Sequence, residues 1–186
     1  MNNLKVKIQK LHESVEIPKY AHNGDAGLDL KAFEVEYDVL KDTLIYRTGL
    51  SIEIPEGYVG LIYPRSSIAD KDLMLTNSVG VIDSTFRGEI LVKFKLIPDY
   101  ISTIFDKSCK ECTDVGLDAI IDSGEFLIFN DYRDLAESNL TPLNVYKIGN
   151  KIAQLIIIPY PKVVFEEVDS LSTSERGNNG YGSTGD

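Results

Sequence analysis

The residues best suited to hold an anion lie at the C-terminus. Arg176-Gly-Asn-Asn-Gly-Tyr-Gly-Ser-Thr-Gly-Asp186 brings together four glycines, two hydroxyls, one arginine and one aromatic, with no apolar pattern to bind it into a core. Glycines such as Gly182 let the backbone approach a ligand closely, so that successive N–H groups converge on an anion. Ser183 and Thr184 add donors, Arg176 adds a planar fork for phosphate, and Tyr181 offers a flat face for a ring. The same composition also fits a disordered polar tail. A second anion-suited place is Arg65-Ser66-Ser67. Ser67-Ile-Ala-Asp70 has the spacing of a helix N-terminal cap, which would set these three residues beside unpaired N–H groups. Asp83 follows Val81-Ile82 and precedes the turn-like Ser84-Thr85, so it projects at a strand end. In that place an aspartate can bond the backbone of its own turn. Gln154 stands in an otherwise apolar run, where an amide needs a hydrogen-bonding partner.

Strand signals dominate the elements that must carry these groups. Lys5-Val-Lys-Ile-Gln-Lys-Leu11 alternates polar and apolar residues, and 44–54 reads as a further strand region closed by the turn Pro55-Glu-Gly57. Extended structure resumes at 58–63 and 89–97, while 152–159 is a continuous apolar run typical of a buried strand. Short strands separated by Gly, Pro and Asp turns predict an all-β sandwich or barrel, with one short helix at 67–70. Residues 98–147 lack clear periodicity and read as a long insertion between two core strands, with a brief helix possible at 131–137. Pro159 and Pro161 stop the last strand, and the polar residues 160–175 have the composition of an arm leading to Arg176.

Composition narrows the function classes. A chain of 186 residues with 43% hydrophobic content fits one domain with a real core. The net charge of −10 repels nucleic-acid phosphate, so a polyanionic ligand must meet a local basic pocket, helped by a divalent cation. The absence of a membrane-length apolar run and of a signal pattern predicts a soluble, cytoplasmic protein. Cys109 and Cys112 form a lone C-x-x-C, and the two histidines, His12 and His22, lie far upstream, so two ordinary thiols are expected rather than structural zinc.

Five segments in order resemble the motifs of the trimeric deoxyuridine triphosphatase (dUTPase) family. They are Ala26-Gly-Leu-Asp-Leu30, Pro64-Arg-Ser-Ser67, Gly80-Val-Ile-Asp-Ser-Thr-Phe-Arg-Gly88, Gly149-Asn-Lys-Ile-Ala-Gln-Leu155 and the tail that starts at Arg176. The resemblance spans residues 5–186 apart from the insertion, and it implies a distorted, barrel-like jelly roll. It implies a β domain over 1–175 and a substrate-closing arm over 176–186, exchanged within a homotrimer whose three sites are each shared between subunits. The implied reaction is attack of water on the α-phosphorus of dUTP, giving dUMP and pyrophosphate, with Mg²⁺ as cofactor.

By the same resemblance, Asp83 is the base that activates the water. Asn77 and the backbone of Gly80, Val81, Ile82 and Asp83 match a uracil-reading hairpin, and Phe86 matches the aromatic under the deoxyribose. Arg65, Ser66, Ser67 and Gln154 match phosphate ligands, as do Arg176, Gly182, Ser183 and Thr184 in the arm, with Tyr181 over the uracil. Asp29 matches an acid that reaches magnesium through water. The chain departs from the family's pattern at four places: Phe86 where tyrosine is common, Thr85 where an acid is common, Lys151 where arginine is frequent, and Ser67 where glycine is frequent. Within the fold, the alternative activity is a dCTP deaminase or a bifunctional deaminase, disfavoured by the glycine-rich arm. A regulatory protein that binds a protein partner through 98–147 is an alternative of another class. No nucleic-acid or membrane partner is expected.

Overall fold

A computed structural model describes residues 3–38, 40–97 and 144–178. Nine strands and a single 3₁₀ turn make up the regular structure of these residues: β1 (Lys7–Lys10), β2 (Leu28–Lys31), β3 (Glu34–Asp38), β4 (Thr43–Glu53), β5 (Tyr58–Pro64), the 3₁₀ turn (Ser66–Asp70), β6 (Leu73–Leu75), β7 (Gly80–Ile82), β8 (Glu89–Leu96) and β9 (Lys151–Pro159). One sheet runs β1-β4-β8-β6, with β3 also on β4; the second runs β2-β9-β5-β7. Every pairing is antiparallel. The all-β expectation holds.

Strand chemistry explains the layering. In β8, Ile90, Val92, Phe94 and Leu96 alternate inward while Lys93 and Lys95 stay exposed. These side chains meet Leu30, Ile62, Ile152 and Leu155 of the second sheet in one core. Each such burial contributes about 1.5–3 kcal/mol. β4 is buried on both faces, as its length and its three partners demand. Its ladder to β8 shifts between Arg47 and Ser51. There Glu89 accepts hydrogen bonds from the Gly49 N–H and from Arg47 Nη1, both at 2.8 Å, and Thr48 Oγ1 donates to the Ile90 carbonyl at 2.8 Å. Side chains thus satisfy the groups that the irregularity frees from the ladder.

Three sequence expectations are amended. The 67–70 helix exists, but as a 3₁₀ turn from Ser66 to Asp70 with Arg65 at its N-cap and no side-chain cap hydrogen bond. Ser67 lies inside the turn and its hydroxyl bonds Tyr146 instead, so the capping-box reading fails. The segment around Asn77 is not a hairpin of paired strands. β6 pairs with β8 and β7 pairs with β5, so 76–79 crosses from one sheet to the other. Gly80 must lie flat on β5 at this crossing, because a Cβ there would stand 3.1 Å from Ile62 Cβ. Finally, β2, β3, β6 and β7, all of three to five residues, were not distinguished in the sequence.

Of the expected insertion, residues 144–147 are described, and Val145 and Tyr146 are buried in the core. The 131–137 helix expectation and both cysteines lie outside the described residues. Among the described residues no helix is long and apolar enough to cross a membrane.

Candidate active site

Two groups of residues emerge on the second sheet, one spanning β2, β9 and the end of β5, the other at the edge strand β7. The first is a corner built where β2, β9 and β5 run side by side. Asp29 is the register partner of Gln154, and Gln154 is in turn the partner of Tyr63, so the three share one row on the sheet's outer face. Arg65 follows directly after β5. Its Nε donates to Asp29 Oδ1 at 2.9 Å, Lys151 Nζ donates to Oδ2 at 2.7 Å, and Gln154 Nε2 reaches Oδ1 at 3.4 Å. One carboxylate therefore organises three donors.

The electrostatics of the corner follow from this arrangement. The Asp29 side chain is only 12% exposed, and burial alone would raise its pKa. The hydrogen bond from Lys151, the charge of Arg65 and the further bonds outweigh that burial and hold the carboxyl below its ordinary value. Arg65 spends Nε on Asp29, which leaves the terminal nitrogens of the fork as the face for an anion. Two cations against one carboxylate leave the corner locally positive in a strongly acidic chain. Ser66, exposed, and Ser67, half-buried, continue from Arg65 in the 3₁₀ turn.

Asp29 also decides how a divalent cation fits. Its carboxylate has about four acceptor positions, and three donors occupy it, so about one position remains, beside the charges of Arg65 and Lys151. A water-mediated contact through the remaining position is compatible with the corner. That is the bonding mode suited to Mg²⁺, which keeps several of its waters.

The second group lies at the edge strand β7. β7 is the last strand of its sheet, so part of the backbone N–H and C=O of Gly80, Val81 and Ile82 faces away from β5. Asn77 places its amide nitrogen 3.5 Å from the position that a Gly80 Cβ would take. Asp83 comes immediately after β7, and its carbonyl accepts the Phe86 N–H at 3.1 Å to close a turn. The Asp83 carboxylate is exposed and has no hydrogen bond or ion pair among the described residues.

Arg87 and Gly88 shape this loop, and neither was singled out from sequence although both stand within the third motif. Arg87 Nη1 donates to the Ser84 carbonyl at 2.7 Å and to the Phe86 carbonyl at 2.8 Å. The Phe86 ring, 40% exposed, rests on Gly88: a Cβ there would sit 2.7 Å from Phe86 Cζ. A glycine is required wherever that ring keeps this place. Tyr146, which bonds Ser67 at 3.1 Å, had no local signal at all, since its partner lies 79 residues away.

One chain does not bring the two groups together. Ile62 pairs with Gly80 and Gly60 with Ile82, whereas Tyr63 pairs with Gln154. Asp83 therefore lies on the order of 13 Å along the strands from the Gln154 row, and two strand spacings, roughly 10 Å, across the sheet. Between them the outer face carries Val81, Leu61 and Ile156 in one row and Val59 and Ile158 in the next. Val81 is 60% exposed.

Arg176 lies at the end of a different kind of segment. Residues 160–178 are exposed and contain no strand or helix, and Val163, Val164, Phe165 and Leu171 stand in solvent, Phe165 at 93%. The Gly177 N–H bonds both the carbonyl and the hydroxyl of Ser174 at 3.1 Å, which turns the chain at Arg176. Tyr181, Gly182, Ser183 and Thr184 lie outside the described residues.

Known proteins share this architecture. A family model described as dUTPase matches residues 13–101. A deoxyuridine 5'-triphosphate nucleotidohydrolase of Clostridium tetani is 35% identical, over all of this chain and 99% of its own length. Among solved structures, the dUTPase of Staphylococcus bacteriophage 80alpha bound to dUpNHpp superposes with a TM-score of 0.65 at 26% identity, covering 98% of this chain and 99% of that one. The dUTPase of Staphylococcus aureus phage phi11, described with a structural Mg(II) ion, shares the fold with a TM-score of 0.58 at 22% identity, over 90% of this chain and 98% of its own. With a relative this similar over the whole length of both chains, the protein belongs to the dUTPase family.

Proposed function

We propose that the protein is a dUTP pyrophosphatase in which each active site is assembled from several subunits of a homotrimer. The observation that carries this reading is the separation just described. A base and a phosphate clamp acting on one α-phosphorus must lie within a few ångströms of it, yet Asp83 and the Arg65–Gln154 corner lie towards opposite ends of β5. The apolar outer face between them supports burial against a second copy, and the exposed apolar residues of 160–175 support an arm that docks on another subunit. The domain plan that follows is a β domain over 1–175 and a closing arm over 176–186.

In this reading Asp83 accepts a proton from water as the water oxygen bonds the α-phosphorus. The bond from that phosphorus to the bridging oxygen breaks, and pyrophosphate leaves. The exposed, unpartnered carboxylate suits a base that must reach solvent water. Asn77 and the free edge of Gly80, Val81 and Ile82 offer fixed donors and acceptors to uracil, and close backbone approach excludes a 5-methyl group. Phe86, set by Gly88, forms a wall against a 2′-hydroxyl. Arg65, Ser66, Ser67 and Gln154 hold the phosphates, with Lys151 beside them. Arg176, Gly182, Ser183 and Thr184 close over them, and Tyr181 covers the base. Mg²⁺, when bound, neutralises phosphate charge, with Asp29 reaching it through water.

The test is Mg²⁺-dependent pyrophosphate release compared across dUTP, dCTP, dTTP and UTP. Release confined to dUTP is expected, with no ammonia from dCTP. Ammonia from dCTP, or equal turnover of all four, would refute the assignment.

A further inference from the structure

The 3₁₀ turn that follows Arg65 rests on Tyr146. The Tyr146 hydroxyl and Ser67 Oγ are 3.1 Å apart, and either can donate to the other. Tyr146 is held firmly. Its side chain is 2% exposed, its ring packs edge-on to Tyr46 and tilted against Phe94, and its carbonyl accepts the Tyr46 O–H at 2.9 Å. Lys71 Nζ lies 5.5 Å above the ring centroid.

Two residues earlier, Asn144 staples the other end of the 3₁₀ turn. Its Nδ2 donates to the Asp70 carbonyl at 2.6 Å and its Oδ1 accepts from Lys71 Nζ at 2.6 Å. Its N–H donates to Asp72 Oδ2 at 2.8 Å, and its carbonyl accepts the Asp72 N–H at 3.1 Å. Segment 144–146 therefore fixes both the position and the rotation of the Ser66–Asp70 turn.

With an anion in the corner, only one direction of the Tyr146–Ser67 bond works. If Ser67 donated inward, its oxygen lone pairs would face the phosphate, and the two would repel. If Tyr146 donates, Ser67 Oγ is satisfied as an acceptor and its own proton is free to point at the anion. A phenol has one proton and a rigid ring, so the choice costs no side-chain freedom at the moment of binding.

We propose that Tyr146 is a positioning residue for phosphate binding, its hydroxyl donating to Ser67 Oγ and turning the Ser67 proton toward the substrate. This rests on the reading that Ser67 touches a phosphate of dUTP. Tyr146→Phe keeps the buried ring and removes only the hydroxyl. The KM for dUTP and the Kd of a non-hydrolysable imido analogue are expected to rise about three- to tenfold, as for one lost hydrogen bond. The kcat should stay within about twofold, and binding of the nucleoside deoxyuridine should not change. Ser67→Ala, which keeps the Tyr146 ring but removes the partner of its hydroxyl, should give at least the same loss, and the double variant should be no worse than Ser67→Ala alone.

A lower melting temperature with unchanged KM and analogue affinity would assign Tyr146 a packing role and overturn the proposal. Additive losses in the double variant, or equal weakening of deoxyuridine, would do the same. Should Tyr146→Phe fail to fold, Ser67→Ala with unchanged phosphate affinity overturns it by itself. Wild-type protein that releases no pyrophosphate from dUTP overturns the functional reading together with this inference. Wild-type turnover with an unchanged Tyr146→Phe KM overturns this inference alone.

Discussion

At the corner around Asp29, the carboxylate is mostly buried and holds Arg65, Lys151 and Gln154 at 2.9, 2.7 and 3.4 Å. On the 83–88 loop, Asp83 is exposed and its carboxylate meets no partner among the described residues. The corner is held by its own hydrogen bonds and ion pairs, so in the proposed reading its contribution is binding and orientation. The loop is fixed in its backbone, through the Asp83–Phe86 turn and Arg87, while the Asp83 carboxylate stays uncommitted among the described residues. A phosphate clamp benefits from donors that are already aimed. A base needs access to water and a proton acceptor that no internal cation has already claimed.

That contrast is broken most severely at the base. Asp83→Asn should lower dUTP turnover by about 10²–10⁴ while analogue affinity stays near wild type, measured by pyrophosphate release and calorimetry. Turnover close to wild type would move the base elsewhere. Removal of residues 176–186 should cost about 10² in turnover with an unchanged melting temperature, since the arm orders the phosphates rather than the core. Unfolding on truncation would make the tail structural. Gly88→Ala should push the Phe86 ring from its seat and lower the preference for dUTP over UTP several-fold, with phosphate affinity preserved.

The smallest effect is at the corner and depends on pH. The Asp29 carboxyl is depressed in the folded protein, so its stabilisation is complete above the ordinary carboxylate value and is lost as pH falls through the lowered one. Asp29→Asn should therefore flatten the fall in melting temperature below about pH 4. An acid limb as steep as that of the wild type would show that the Arg65 and Lys151 contacts do not stabilise the fold.

The sequence made the corner and the loop legible to different degrees. Long strands such as β4, β8 and β9 were readable because alternation or an unbroken apolar run repeats over eight residues or more. β2, β6 and β7, at three or four residues, are too short for periodicity, and they are stabilised by pairing with distant segments. The need of Gln154 for a partner could be read from one polar residue in an apolar strand, but its partner Asp29, 125 residues away, could not. The cap at Ser67 failed because a five-residue 3₁₀ turn starting at Ser66 places that serine inside it. Tyr146 was invisible because its role depends on contacts 79 and 100 residues distant. Local chemistry shows in sequence; a site made by sheet register does not.

The proposed sharing of the site between subunits is tested most directly by mixing two variants expected to be inactive, Asp83→Asn and Arg65→Ala, under conditions that allow subunits to exchange. If base and clamp come from different chains, mixed trimers contain sites with an intact Asp83 from one subunit and an intact Arg65 from another. Pyrophosphate release from dUTP should then rise well above the sum of the two parents. If subunits exchange and activity remains at that sum, both residues act within one chain, and the account of a site split across the trimer is wrong.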